Sequence, residues 1–400
     1  MITIQSAESA LKNIFLESAI NDINTKTNPF LTMIQKNAKT VAGNEARATV
    51  RYGNENSVIV GDEGGTLPKV DGKSVEIVTP LKNLYGSFQI SDKAIKASQN
   101  SAGAFASLLS QEMQNLVGTA QYNLNSLVYG NGMKLITIID GYDKSNKQFT
   151  LQEKDRGRFA VGDKIRIWTV NNEPIHPQAD YVLISNVNGL VHTVQGTTSV
   201  FNDYDRYYIY SYSDDDTTFN GVDSIFRQDK IYNLAKSENT AIAPCIVKST
   251  DVATNLSALN EDKILDFLQK YEEHCECNPA DVMLMHPLVR RAVQEQVKTL
   301  RSNIDLHDFK CGYSGFTFNG LPVYTDMKCK TGSAYALNSD SWSMHQLCDW
   351  TWLAGEDGNV LKQIDGKAGY SATIVKYADL LCNKPFFQGK VTGYSSRKIA

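Results

Sequence analysis

The chain has 400 residues, 42% of them hydrophobic, 21% charged and 10% aromatic, which is ordinary globular composition and excludes the disordered and collagen-like classes. Lysine and arginine total 40 against 44 aspartate and glutamate, a formal net charge of −4, which excludes a grip on nucleic acid built from clustered phosphate neutralisation and excludes a strongly acidic mimic. No run approaches the ~18 consecutive apolar residues of a membrane span, and MITIQSAESALKNIF lacks the basic start and apolar block of a signal peptide, so a soluble chain of about two to three compact units is expected.

Residues 1–37 carry Ala10, Leu11, Ile14, Phe15 and Ile20 at near-helical spacing and break at Thr25 to Asn28 before Pro29. They read as an arm with helical pieces. Ala46 to Tyr52 then alternates as a strand does, GNENSVIVGDEGGTLPKVDGKS packs turn formers around one short apolar run, and Val75 to Val78 resumes the alternation. An extended hairpin with a long glycine-rich tip is predicted, too poor in apolar residues to fold over a core of its own.

Ser91 is placed to cap a short helix over Asp92 to Ala97. Beyond it, Phe105, Leu108, Leu109, Met113, Leu116, Val117, Ala120, Leu124, Leu127 and Val128 recur at three- and four-residue steps without proline, predicting a helix from about 102 to 129, ~40 Å long. Its opposite face is Gln, Asn, Ser and Thr with one charge, Glu112, so the second face is also expected to meet protein. Gly130 and Gly132 stop it.

From Met133 to about Phe219 the pattern is β: LITIID, FTLQ, DKIRIWTV, YVLISNV, LVHTVQ and YYIYSYS are short alternating or β-branched runs between turn residues. A small barrel or sandwich is expected. NEDKILDFLQKYEEH is an amphipathic helix capped by Asn260, DVMLMH a buried strand running into a proline-initiated helix, and FTFNGLPVYTD and SAYALN read as strands. NVLKQIDG, YSATIVKYADLLC and KVTGYS follow as further strands, making the C-terminal half α+β.

Constellations that could carry chemistry stay at background. HCEC at His274 to Cys277 offers three ligand types, but no second C-x₂₋₄-C pair answers it, so structural thiols at a helix end are preferred to zinc. The seven cysteines all fall in the C-terminal half at uneven spacing, the pattern of reduced thiols in a cytoplasm. YGNG at Tyr129 to Gly132 closes a helix where a dinucleotide fingerprint would open one, and Asp214, Asp215 and Asp216 miss the offsets of a calcium loop. Arg290 and Arg291 after His286 read as helix surface charge, and Trp342, Trp350, Trp352 and Tyr335 as packing rather than a base-stacking platform. No catalytic residue, cofactor or metal is expected.

The order of segments resembles a known family. LYGSFQISDKAIKAS followed by GAFASLLSQEMQNLVGTAQYNLNSLVYGNG is similar to the hairpin return and spine helix of tailed-bacteriophage major capsid proteins of the Hong Kong 97-type fold. FNGVDSIF, NPADVMLMHPLVRRAVQE, FNGLPVYTDMKC with SAYALN, and LCDWTWLAGEDGNVLKQIDGKAGYSATIVKYADLLCNKPFFQGKVTG continue the likeness in collinear order. The β-rich piece departs from it and reads as an insertion, and no long charged N-terminal extension of the fused-scaffold kind is seen.

The resemblance implies an α+β chain with an N-terminal arm over 1–45, an extended loop over 46–90, and a peripheral domain with the spine helix over 91–132. An insertion domain over 133–219, peripheral strands over 220–250, an axial domain over 251–364 and a C-terminal return over 365–400 complete it. It implies a structural protein of the virion, assembled in the bacterial cytoplasm. Copies would form hexamers and pentamers of an icosahedral shell around double-stranded DNA held without sequence-specific binding, with separate scaffolding, portal and decoration proteins as further partners and no membrane. Candidate assembly contacts are Phe30 in the arm, Asp62, Glu63, Lys69 and Lys73 in the loop, and Glu112 on the spine helix. Some members cross-link a loop lysine to a distant asparagine; Lys69 and Lys73 are available, yet no cross-link is expected. The competing readings are an encapsulin-like compartment shell and a cytoplasmic enzyme with a β accessory domain.

Overall fold

The structure is a computed structural model. It describes residues 28–37, 41–52, 73–93, 102–133, 135–169 without 140, 141 and 144, then 175, 181–195, 207–211, 218–248 without 228, 259, 261–276, 279–293 without 292, 306–308, 314–318, 320–330, 332–353, 360 and 362–394. The chain divides into two compact units. One comprises Met1–Ala46, Pro80–Val128 and Ser343–Leu381, the other Arg47–Thr79, Tyr129–Trp342 and Cys382–Ala400.

In the first unit a short helix, α1 (Pro29–Met33), begins as its sequence dictates: Pro29 fits the first helical position, and the Asn28 Oδ1 accepts the Phe30 N–H at 2.8 Å. Strand β1 (Gln35–Asn37) follows and pairs in parallel with β20 (Trp342–Trp352), Gln35 opposite Ser343. The next strand of that sheet is β22 (Gly369–Cys382), which pairs antiparallel with β5 (Lys82–Ser91) over ten positions from Gly369–Ser91 to Ala378–Lys82, and with the short β21 (Lys362–Gln363).

The long helix α2 (Ala102–Val128) covers one face of this sheet. Period-2 alternation puts Phe88 and Ile90 of β5 inward, where they meet Met113, Leu116, Val117 and Ala120 of the helix with Trp350, Ala372 and Ile374. Gly86 occupies the closest approach: a Cβ there would lie 3.1 Å from both Ile374 Cγ1 and Leu116 Cδ1. Gly86→Leu is therefore expected to cost ~1–3 kcal/mol of stability by overpacking, while Ser87→Leu, on the exposed face one residue on, stays within about 0.5 kcal/mol in urea unfolding. Equal effects at both positions would contradict this packing.

The predicted hairpin is present as β3 (Glu45–Arg51) and β4 (Ser74–Pro80), with β2 (Val41–Ala42) completing a three-stranded sheet. The Tyr52 N–H donates to the Lys73 carbonyl at 3.1 Å, and Arg47 pairs with Glu76 across the strands.

In the second unit, residues 135–211 form a six-stranded sheet in the order β6 (Leu135–Ile139), β11 (Tyr207–Ser211), β8 (Lys164–Thr169), β9 (Val182–Asn188), β10 (Val191–Val194), β7 (Gln148–Thr150). Every neighbouring pair is antiparallel, as short alternating runs with tight turns require. Ile139, Phe149, Phe159, Ile165, Ile167, Val182, Ile184, Tyr207 and Ile209 give it a core of its own. The β pattern read from Met133 to about Phe219 is met by one sheet over 135–211, with an open strand order among the described residues in place of the expected barrel or sandwich.

A two-stranded ribbon, β12 (Lys230–Ile231) and β13 (Leu234–Ala235), leads into a seven-stranded mixed sheet. Its order is β14 (Cys245–Lys248), β23 (Gly389–Thr392), β19 (Ala334–Leu337), β15 (Val282–Met285), β18 (Leu321–Thr325), β17 (Ser314–Phe318), β16 (Leu306–Asp308). Helix α3 (Glu261–Cys275) buries Ile264, Phe267, Leu268, Tyr271 and Cys275 on one face of it, the stripe its periodicity predicts. The cap expected at Asn260 falls outside the described residues, as do residues 94–97 of the short helix that begins at Asp92.

Two groupings read from the sequence differ from these pairings. Cys245–Lys248, set with the long helix, instead pairs in parallel with β23 in the seven-stranded sheet. Trp342–Trp352, set with the axial segment, runs almost wholly in the sheet under α2. Parallel partners and long returns are non-local pairings, invisible to local periodicity.

Candidate assembly surfaces

Three of the six candidate contacts, Phe30, Lys73 and Glu112, fall among the described residues. Phe30 is fully buried in the single chain and has no surface to offer a neighbour, which corrects its assignment. It stands in the first turn of the capped, proline-started α1, where the aromatic side chain is covered by the chain itself. Lys73 is exposed at the start of β4, and Glu112 is half-buried on α2. Asp62, Glu63 and Lys69 lie outside the described residues.

The long helix has the two-faced character its sequence predicted. Met113, Leu116, Val117, Ala120, Leu124 and Val128 are buried, whereas Gln114, Asn115, Gly118, Thr119, Tyr122, Asn123 and Ser126 are exposed. Tyr122 is 61% exposed, a large ring on a face with no charge among those seven positions. The outer face of the underlying sheet is similar: Tyr85 is 62% exposed and edge-on to Tyr377, and Leu347 on β20 is 53% exposed. Exposed aromatic and aliphatic groups of this size are the composition of surfaces that meet protein.

The arm strand β1 is fastened by charge as well as by its ladder. Asp349 accepts from Lys36 Nζ at 3.1 Å and from Lys376 Nζ at 2.5 Å, and Lys376, buried in mid-strand, also donates to Gln346 Oε1 at 2.9 Å. Burial works to raise the Asp349 carboxyl, but the two lysines prevail and hold it below the usual carboxylate range.

The second unit carries a buried charge cluster that sequence reading did not single out. Asp223, in the 3₁₀ turn Val222–Phe226, is fully buried and pairs with Lys330 Nζ at 2.5 Å and Lys390 Nζ at 2.6 Å, while the Tyr335 hydroxyl donates to its Oδ1 at 3.2 Å. Aromatic rings complete the shell: Lys330 Nζ lies 4.8 Å from the Tyr208 ring centre and Lys390 Nζ 5.5 Å from that of Tyr335. Burial by itself would raise the Asp223 carboxyl, yet the two ammoniums hold it well below the ordinary range; burial in turn pulls Lys390 down, against the pull of Asp223. The alternation YYIY on β11 explains how the six-stranded sheet joins this cluster, since Tyr207 and Ile209 enter its own core and Tyr208 and Tyr210 turn the other way, beside Met133 and Trp168. Gly132, at φ +79°, precedes the first strand of that sheet; a Cβ there would sit 2.7 Å from Asn220 Oδ1.

The remaining sequence candidates resolve as structural groups. His274 Nε2 contacts the Ala243 carbonyl at 3.1 Å and its ring packs on Phe386, while Cys275 is buried beneath the Phe386 carbonyl. Among the described residues no cluster of three or more His, Cys, Asp or Glu could hold a metal ion. Trp342, Trp350 and Tyr335 are buried, and Trp342 donates to Gln388 Oε1 at 3.0 Å, so these rings pack rather than stack bases. Cys277 and Asp214 to Asp216 lie outside the described residues. No helix of the described residues is long and apolar enough to cross a membrane.

No protein-family model matches the sequence, and a search of curated proteins finds no match. Among solved structures the chain is similar to a chain of the cyanophage A-1(L) capsid asymmetric unit, with a TM-score of 0.54 at 11% sequence identity over 93% of each chain. More distant likenesses include the satellite phage P4 procapsid (TM-score 0.47, 9% identity, 97% of this chain and 92% of that one) and the SrpI encapsulin complex of Synechococcus elongatus (TM-score 0.45, 10% identity, 93% and 90%). The first of these likenesses spans nearly the whole of both chains, and with it the α+β architecture is the Hong Kong 97-type capsid-protein fold anticipated from the sequence.

Proposed function

We propose that this chain is the major capsid protein of a tailed phage, a structural subunit whose copies associate laterally into the icosahedral shell that encloses double-stranded DNA. The observation that carries the reading is the near-complete two-way coverage in the likeness to the cyanophage capsid chain, which leaves little of either fold unaccounted for. The uncharged outer face of α2 and the exposed Tyr85 and Leu347 support it, because one copy leaves them uncovered among the described residues. A hairpin lent to one neighbour and an arm to another would spread contact over far more than the ~1,600 Å² of a standard pair interface. The mild net charge of −4 suits a wall that does not hold packaged DNA tightly.

On this reading 1–45 is the arm, 46–90 the extended loop, 133–219 an insertion, and the segment from 251 the axial domain up to the start of β20. Lys73 and Glu112 remain contact candidates, with Asp62, Glu63 and Lys69 at the loop tip. The virion is the site of action, cytoplasmic assembly precedes it, and portal, scaffolding and decoration proteins are the expected partners. The role is architectural rather than catalytic.

Electron microscopy of the purified chain is expected to show closed icosahedral particles, and material from infected cells to show them filled with DNA. Particles filled instead with a co-purifying enzyme would move the chain to the compartment class. Small globular material under all conditions would refute the shell.

A further inference from the structure

Among the described residues of the second unit, exposed aliphatic side chains away from the six-stranded sheet and its turns, which carry Leu135 and Val161, fall in two places. Leu265 is 43% exposed on α3, while Leu288 and Met327 are 45% and 73% exposed at one end of the seven-stranded sheet. The two places carry opposite charge. On α3 the positions 262, 265, 266, 269 and 273 form one exposed stripe opposite the buried one, and it bears Asp262, Asp266 and Glu273, the last accepting from Gln269 Nε2 at 3.0 Å. Two lysines border the stripe on one side, Lys263 half-exposed and Lys270 exposed, while Glu261 and Glu272, both half-exposed, flank it on the other, so carboxylates outnumber cations on this face.

The other place is built by the parallel pair β15 and β18, whose last residues, Met285 and Thr325, stand opposite each other. The Asp326 N–H donates to the Met285 carbonyl at 3.1 Å, which brings the turn 326–328 beside the helical turn that starts after His286. On these two adjoining turns Met327 and Leu288 are exposed, and the same turns carry Arg290, Arg291 and Lys328. Arg291 is exposed and the other two are half-exposed. The carboxylate in the group, Asp326, accepts the Lys328 backbone N–H at 2.8 Å. His286 is likewise engaged, its Nδ1 accepting the Leu288 N–H at 3.1 Å.

The patches occupy different parts of the sheet, since α3 packs over β14 and β23 at one edge while β15 and β18 lie further in. We infer that the acidic and aliphatic stripe of α3 in one copy docks on the basic and aliphatic end of the β15–β18 pair in the next copy, head to tail. Opposite charge with an apolar centre on each side is the complementarity that sets partner and register. A contact between two different patches of identical chains is heterologous, and repeated around an axis it closes a ring. The inference rests on the proposed shell function and supplies the surfaces by which neighbours within a ring recognise each other.

The test is charge exchange in the full chain. Asp262→Lys with Asp266→Lys, and separately Arg290→Glu with Arg291→Glu, are each expected to lower the yield of rings and shells by about tenfold or more, with circular dichroism and thermal unfolding unchanged. All four substitutions together restore complementarity and should recover yield to within about twofold of the original chain. A merely structural role of these surface residues would not give that rescue. Reversals that leave particle yield as it was, or a folded fourfold variant that stays unassembled, would overturn the docking while leaving the shell function standing. DNA bound at the basic patch in a gel shift, lost with Arg290→Glu and Arg291→Glu while particle yield holds, would also overturn it. An unsubstituted chain that forms no particle at all would take both the shell function and the docking down.

Discussion

Asp223→Asn is expected to lower the unfolding free energy of the second unit by ~3–5 kcal/mol, because it leaves Lys330 and Lys390 as buried cations without a counter-charge. The loss should follow pH in a defined direction. The folded carboxyl is held below its ordinary value, so in acid the unfolded chain binds the extra proton. This share of stability is complete above the usual carboxylate range and is lost as pH falls through that range towards the lower folded value. Urea unfolding from neutral pH downward should therefore show a steeper acid loss for the original chain than for Asp223→Asn. Parallel acid slopes, or a variant within about 1 kcal/mol of the original, would show that the cluster is worth little.

Replacing residues 54–72 by a short Asn-Gly link is expected to abolish particles while leaving the subunit folded. The Tyr52–Lys73 hydrogen bond and the Arg47–Glu76 pair hold the hairpin base, so β3 and β4 can be closed by the three-residue turn Gly53-Asn-Gly without loss of their ladder. Far-ultraviolet circular dichroism should match the original chain, and electron microscopy should show unassembled subunits in place of shells. Normal shells from this variant would mean that the loop lends nothing to its neighbours.

Local patterns carried much of the fold. The stripe from Phe105 to Val128 foretold α2 to within a residue at each end, and the short alternating runs foretold the six-stranded body, because both depend on periods of 3.6 and 2 that the chain displays openly. Pairing partners were not legible in the same way. Cys245–Lys248 finds Gly389–Thr392, and Trp342–Trp352 joins the sheet beneath α2, through contacts that no local window contains. The charge cluster was hidden for the same reason. Asp223 and Lys390 meet across 167 positions, and the hint available in sequence was a lysine inside an otherwise buried strand, as also at Lys376. Phe30 misled because an aromatic residue in an arm looks like a contact, whereas here the chain itself covers its side chain.

The central claim is that copies of this chain complete one another, and sedimentation of the purified full chain across a wide concentration range tests it most directly. Large, discrete particles that grow at the expense of a single slow species as concentration rises are the predicted result. One slow species at every concentration, with the exposed face of α2 equally open to solvent in hydrogen exchange throughout, would contradict it.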